Sequence, residues 1–174
     1  MEKLKEIKFE KNFYSGRPER CFILGNGPSL NDVDFSILEE DIVIGVNLIL
    51  LSGFVPDFIC VADRDMVVDN YPEIINERMD DGHYLIVETK NENINSLLRQ
   101  KKNVRIIKGF KEKKEIRLPY LDEELKKFAM TKNGVINDLA VSLAAYLGFE
   151  NIYLFGVDGE HGTNTHFYDH NGIK

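Results

Sequence analysis

The stretch from Arg20 to Leu30, Arg-Cys-Phe-Ile-Leu-Gly-Asn-Gly-Pro-Ser-Leu, limits what this chain can fold into more than any other. An apolar run, Cys21 to Leu24, stops abruptly at Gly25-Asn26-Gly27-Pro28-Ser29, and an amphipathic segment follows. That order predicts a buried strand, a tight turn and the start of a helix. Glycines at 25 and 27 let backbone N–H groups approach a ligand closely, and a helix N-terminus would add partial positive charge. The natural guest is a phosphate. The bland alternative is a strand-to-helix turn that needs glycine for its own geometry. Leu30 stands where the dinucleotide fingerprint wants a third glycine, so the match to that motif is partial.

The same alternation continues downstream. Asp41 to Asn47 is a near-continuous apolar run, of the kind found in parallel sheets covered on both faces. Asp57 to Asp63, Tyr84 to Val87, Val104 to Ile107 and Asn151 to Phe155 read as further strands. Helices are predicted over Val33 to Leu38, over Arg64 to Met79 with a break at Tyr71-Pro72, around Ile94 to Leu98, and over Leu121 to Met130. The clearest helix runs from Val135 to Leu147. Val135, Leu139, Ser142, Leu143 and Tyr146 share one face, and Gly148 is its stop. Residues 108–120 are charge-rich and read as a solvated loop. Residues 1–19 read as a loosely attached lead-in, and 20–174 as a single α/β domain, a layered sandwich with a mostly parallel sheet. In such sheets ligands gather beyond the carboxyl ends of the strands, and Asn26, Asn47, Asp63 and Asp158 fall at those ends.

Composition removes several function classes. A net charge of -7 argues against nucleic-acid binding while leaving room for a small phosphorylated ligand. No apolar run approaches a membrane span and no signal-peptide pattern opens the chain, so a cytoplasmic protein is expected. Cys21 and Cys60 sit inside predicted strands and read as buried thiols rather than a disulfide. Nothing in the pattern argues against an oligomer.

The candidate chemistry sits in four places. Asn47 closes the second predicted strand, where nicotinamide enzymes usually carry an acid for the ribose hydroxyls, which counts against NAD. Thr131-Lys-Asn-Gly134 precedes the best helix. Thr131 or Asn133 serves as its cap, or the helix start, with Asn133 and Gly134, cradles a nucleotide phosphate. The tail holds His161, His166, Tyr168, Asp169 and His170, suited to acid–base work or donation to a phosphate oxygen. The i, i+4 spacing of His166 and His170 would suit a metal only on a helix, which the sequence between them disfavours. Asp63-Arg64-Asp65 reads as a charged helix cap or as a Mg²⁺ ligand pair near phosphates.

These residues together resemble a known family. The Arg20 to Leu30 stretch, Ile44-Gly-Val-Asn47, Pro56-Asp57, Asp63-Arg64, Gly134-Val135 and Ile152-Tyr-Leu-Phe-Gly-Val-Asp158 look like the MptE-like group, which includes 6-hydroxymethylpterin diphosphokinases. The same order is similar to family 42 bacterial sialyltransferases and to the motility accessory factors. The resemblance implies a Rossmann-like three-layer sandwich binding a nucleotide, often CMP linked to a sugar. It implies that Gly25, Asn26, Gly27 and Ser29 touch the nucleotide phosphate or sugar. Asn47, Asp63, Asn133 and Gly134 would touch the donor, and Asp158 the cytidine or ribose side. His166, with Tyr168 beside it, stands near the place of the sialyltransferases' phosphate-steadying tyrosine. Their catalytic histidine falls beyond the last residue here, which points to a shortened chain or a missing lid. The expected function is a transferase that carries a nonulosonic acid from a CMP-sugar donor to a glycan acceptor for cell-surface polysaccharide, with His166 and Tyr168 catalytic. The alternatives are an ATP- and Mg-dependent pterin diphosphokinase using Asp63 and Asp65 for the metal, and a non-catalytic nucleotide-sugar-binding domain.

Overall fold

The structure is a computed structural model that describes residues 11–17, 20–61, 83–88, 104–107, 134–159 and 166–168. Its strands are β1 (Cys21–Leu24), β2 (Ile42–Val46), β3 (Phe58–Val61), β4 (Tyr84–Glu88), β5 (Val104–Ile107) and β6 (Ile152–Phe155). They form one six-stranded sheet in the order β5-β4-β3-β2-β1-β6. Every pairing is parallel. The expected α/β sandwich with a parallel sheet is therefore the observed fold. The helices expected at 64–79, 94–98 and 121–130, and the charged 108–120 segment, lie outside the described residues.

Side chains alternate cleanly across the sheet, as the period of two demands. Cys21 and Ile23, Ile42, Ile44 and Val46, and Phe58 and Cys60 face one side, against Leu139, Ala140, Leu143, Ala144 and Leu147 of the long helix. Phe22 and Leu24, Val43, and Ile59 and Val61 face the other, against Leu30, Leu38, Leu48, Ile49 and Leu50. Sheet, helix and connecting segments make three layers. Each fully buried Leu or Ile contributes about 1.5–3 kcal/mol, so the central strands and this helix dominate the core.

The helix opens with a π-helical stretch, Ile136–Val141, and continues as α1, Ser142–Leu147. The Ser142 hydroxyl donates to the Asn137 carbonyl five residues back at 3.3 Å, a reach that suits the wider π turn. Gly148, at φ 93, ends it with its N–H on Ala145 O at 3.1 Å. The segment after β1 departs from expectation. It forms two short 3-10 turns, Pro28–Asp32 and Phe35–Leu38, and no α-helix. The Asp34 carboxylate accepts from Ser36 N at 3.0 Å and starts the second turn afresh, which interrupts any continuous helix.

The lead-in is also different from a loose tail, at least over 11–17. Asn12 N and Tyr14 N donate to Tyr146 O and Leu147 O, both at 2.8 Å. Tyr14 is buried and stacks on Phe149, with ring centroids 4.6 Å apart. These bonds satisfy carbonyls that the last turn of α1 cannot pair internally.

The amino edge of the sheet is fastened by two carboxylates. Asp41 receives Arg20 through Nε at 3.1 Å and Nη2 at 2.6 Å, and Asp57 accepts Val43 N at 2.7 Å. The Asp41 partner raises the Arg20 guanidinium's affinity for its proton, by hydrogen bond first and charge second. Cys21 and Cys60 are free and buried, as expected. They lie on β1 and β3 with β2 between them, so two strand spacings, about 9.6 Å, is the least that separates them, too far to bridge. Desolvation pushes both thiols well above their ordinary range. Among the described residues no helix is long and apolar enough to cross a membrane.

Candidate functional site

The strand order defines where a ligand should sit. From β1 the chain steps outward through β2, β3, β4 and β5, then returns so that β6 lies on the free side of β1. The crevice beyond the carboxyl ends of β1 and β6 is the topological switch point. It is lined by the two strand-end turns, Gly25 to Ser29 and Gly156 to Asp158.

These turns grip each other. Gly25 N donates to Phe155 O and Gly27 N to Gly156 O, both at 2.7 Å. Ser29 N donates to Asp158 Oδ2 at 3.0 Å, and the Ser29 hydroxyl donates to Asp158 Oδ1. A Cβ at Gly25 would press into the Gly156 carbonyl, and one at Gly27 into the Asp158 carboxylate. Packing of β6 against β1 thus accounts for both glycines, which is the bland alternative raised from the sequence. The 3-10 turn that starts at Pro28 has five residues, too short for an appreciable dipole.

The tail reaches the same corner. Phe167 N donates to Asn26 O at 2.8 Å, and Phe167 and Tyr168 pack against the second half of the core. His166 and Tyr168 lie with ring centroids 5.1 Å apart. Asn26 is half-buried, and its Oδ1 is shielded from solvent and has no donor among the described residues.

Asn47 ends β2 on the same edge at φ 45, a left-handed conformation that asparagine tolerates better than most residues. Its N–H donates to Cys60 O at 2.9 Å. Gly134 precedes the long helix, is exposed and has φ 89. That helix runs back to feed β6 at the amino edge, so its start belongs to the carboxyl edge.

The structure therefore brings Gly25, Asn26, Gly27, Ser29, Asp158, His166 and Tyr168 to one corner, with Asn47 and Gly134 on the same edge of the sheet. Asp63, Asp65, Thr131, Lys132, Asn133, His161, Asp169 and His170 lie outside the described residues. Among the described residues no three His, Cys, Asp or Glu side chains converge as a metal site would require. Gly156 and Phe167 build the corner and were not singled out from the sequence. The signal for Gly156 was its place between an apolar run and Asp158. Phe167 carried no such signal.

No curated protein matches the chain. A family described as 6-hydroxymethylpterin diphosphokinase MptE-like matches residues 1–163, which takes in every strand and both turns of the corner. That description names a transferase of the kinase kind, and an enzyme fits the polar corner at the switch point. The chain belongs to the 6-hydroxymethylpterin diphosphokinase MptE-like family.

Proposed function

We propose that this chain is a nucleotide-dependent transferase working at the carboxyl corner of β1 and β6, and that it moves a diphosphoryl group from ATP to the hydroxyl of a pterin alcohol. The family supports the reaction class. The observation that carries the location is the meeting of the glycine turn, Asp158 and the 166–168 segment at the switch point. In this reaction the alcohol oxygen attacks the β-phosphorus, the bond to the α-phosphate bridge breaks, and AMP leaves. His166 accepts the alcohol's proton.

Magnesium would neutralise charge across the phosphates. Asp158 by itself does not make such a site, since no group of three His, Cys, Asp or Glu side chains converges among the described residues. Asp63 and Asp65 are its proposed ligands.

A second reading is favoured by one observation, the placement of His166 and Tyr168 beside Asn26. That arrangement suits transfer of a nonulosonic acid from its CMP conjugate to a glycan hydroxyl, with His166 steadying the departing phosphate. Two turnover assays separate the readings. Magnesium-dependent release of AMP from ATP in the presence of a pterin alcohol supports diphosphoryl transfer. Release of CMP from a CMP-nonulosonic acid, with no AMP formed from ATP, overturns it in favour of the second.

A further inference from the structure

We propose that β6 is a pairing edge for a second copy of this chain, which joins the two sheets antiparallel about a twofold axis at Tyr153. This goes beyond the nucleotide reading and does not depend on it.

Exposed large apolar side chains gather at this edge. Tyr153, Leu154 and Val157 are 46%, 48% and 41% exposed, and Ile37 is the other such residue among the described residues. β1, β2 and β3 are buried along their whole length, whereas Tyr153 and Leu154 lie open on opposite faces of the sheet. Contiguous open apolar groups of this kind mark an interaction surface. β6 is the last strand on its side of the sheet, and edges are ordinarily guarded by charge, proline or a bulge. At the far edge β5 contains Arg105 and is followed at once by Lys108. Residues 151–157 hold no charge and no proline, and the register with β1 runs without a bulge.

The backbone dictates how a partner fits. Cys21 N–H donates to Asn151 O and Gly25 N–H to Phe155 O, so the odd-numbered residues of β6 turn their peptide groups to β1. Ile152 and Leu154 therefore present theirs outward, where no backbone group of a described residue meets them. An antiparallel copy with Tyr153 opposite the partner's Tyr153 sets each Ile152 against the partner's Leu154, and these exchange both N–H···O bonds. The side chains match as well. On one face Tyr153, stacked on Phe22 with centroids 5.1 Å apart, meets the partner's Tyr153 in the closer, non-hydrogen-bonded type of pair. On the other face Ile152 and the partner's Leu154 make an apolar pair, repeated by the symmetry. Moving the axis to Leu154 would set Ile152 against the partner's Gly156, whose φ of 64 takes it out of the strand. Moving it to Ile152 would set Leu154 against the partner's Glu150. The strand is thus its own best complement, which selects a second copy as the occupant. The twofold uses up both edges, so the assembly closes as a dimer.

The test begins with analytical ultracentrifugation of the full chain across concentration. It is run at about 0.15 M salt, where the charge of -7 on each copy is screened beyond about 8 Å. The wild type should pass from monomer to dimer. Leu154→Lys, which alters an exposed side chain, should weaken the dimer roughly 30-fold, because two cross-strand pairs are lost at once. Crosslinking reads the register. Tyr153→Cys should form an intermolecular disulfide with oxidised glutathione, since Cα atoms in such a pair are about 4.5 Å apart. Leu154→Cys should not, since its copies lie on a diagonal of about 7–8 Å. Cys21 and Cys60 are buried and stay silent. The cysteine variants decide the matter if circular dichroism shows Leu154→Lys unfolded. A wild type that remains monomeric up to roughly 1 mM overturns the proposal. So does a dimer equally tight with Leu154→Lys, or equal crosslinking of the two cysteine variants.

Discussion

Replacing Gly25 with alanine probes the contact on which the site is built. A methyl group there would meet the Gly156 carbonyl, with its carbon at 2.9 Å and Val157 Cγ2 at 3.1 Å. The nearest obstacle is backbone, and that backbone is tied to β1 by Gly25 N–H on Phe155 O and Gly27 N–H on Gly156 O. Relief therefore requires the two turns to separate. Overpacking of this kind costs about 1–3 kcal/mol, and losing one of the buried bonds adds about 1 kcal/mol. A total of about 3 kcal/mol in a chain of this size lowers Tm by roughly 6–12 °C. At Gly27 the nearest obstacle is a side chain, the Asp158 carboxylate, which can rotate away by giving up Ser29. Gly27→Ala should cost less than Gly25→Ala, and adding Asp158→Ala should recover part of the loss at Gly27 and none at Gly25. Urea unfolding of the singles and doubles measures this directly. A Gly25→Ala protein within about 0.5 kcal/mol of wild type, inside the usual scatter of surface changes, would refute the reasoning.

Other outcomes follow from the same geometry. Neither Cys21 nor Cys60 should react with a thiol reagent in the native protein at neutral pH, because both are buried with their thiols held protonated, and both should react after unfolding. Asp34 is held below its ordinary value chiefly by its hydrogen bond with Ser36, so its contribution is fully present above its unfolded pKa of 3.8. That contribution is lost as pH falls through the lower folded value. Asp34→Ala should accordingly destabilise at neutral pH and match the wild type in strong acid, as read by chemical denaturation. Asp41→Ala removes the bidentate partner of Arg20 across the starts of β1 and β2, and should lower Tm more than Arg20→Ala, because it also leaves a gap at a buried position. His166→Ala should reduce turnover about 100-fold or more, the low end of general-base effects, with nucleotide affinity changed far less.

Much of the fold was legible because its central strands are short, apolar and bounded. Cys21 to Leu24, Asp41 to Asn47 and Asp57 to Asp63 could be placed within a residue or two, and the apolar stripe of 135–147 gave the long helix. Two local features escaped. The π start of that helix shares the apolar stripe of an ordinary helix, and the hydroxyl reach of Ser142 is a tertiary-scale detail. The two 3-10 turns after β1 keep an amphipathic pattern without a helix's length, since Asp34 restarts the chain. The site was half legible. That Asn26, Asn47 and Asp158 share an edge follows from parallel strands, which the sequence showed. That β6 lies beside β1 does not, because strand order depends on packing between distant segments. So the glycines at 25 and 27 looked like a ligand's requirement when a neighbouring turn also requires them. The docking of 166–168 on Asn26 was likewise invisible, since a backbone bond from Phe167 and the packing of Phe167 and Tyr168 on the core hold it, and neither leaves a mark in the sequence pattern.

The central claim is that the corner shared by β1 and β6 holds the nucleotide. A crystal structure of the chain with ATP or CMP bound tests it most directly. The nucleotide should lie over Gly25 to Ser29 and Gly156 to Asp158. A nucleotide seated at the amino edge near Arg20 and Asp41, or on either face of the sheet away from the two turns, would contradict it.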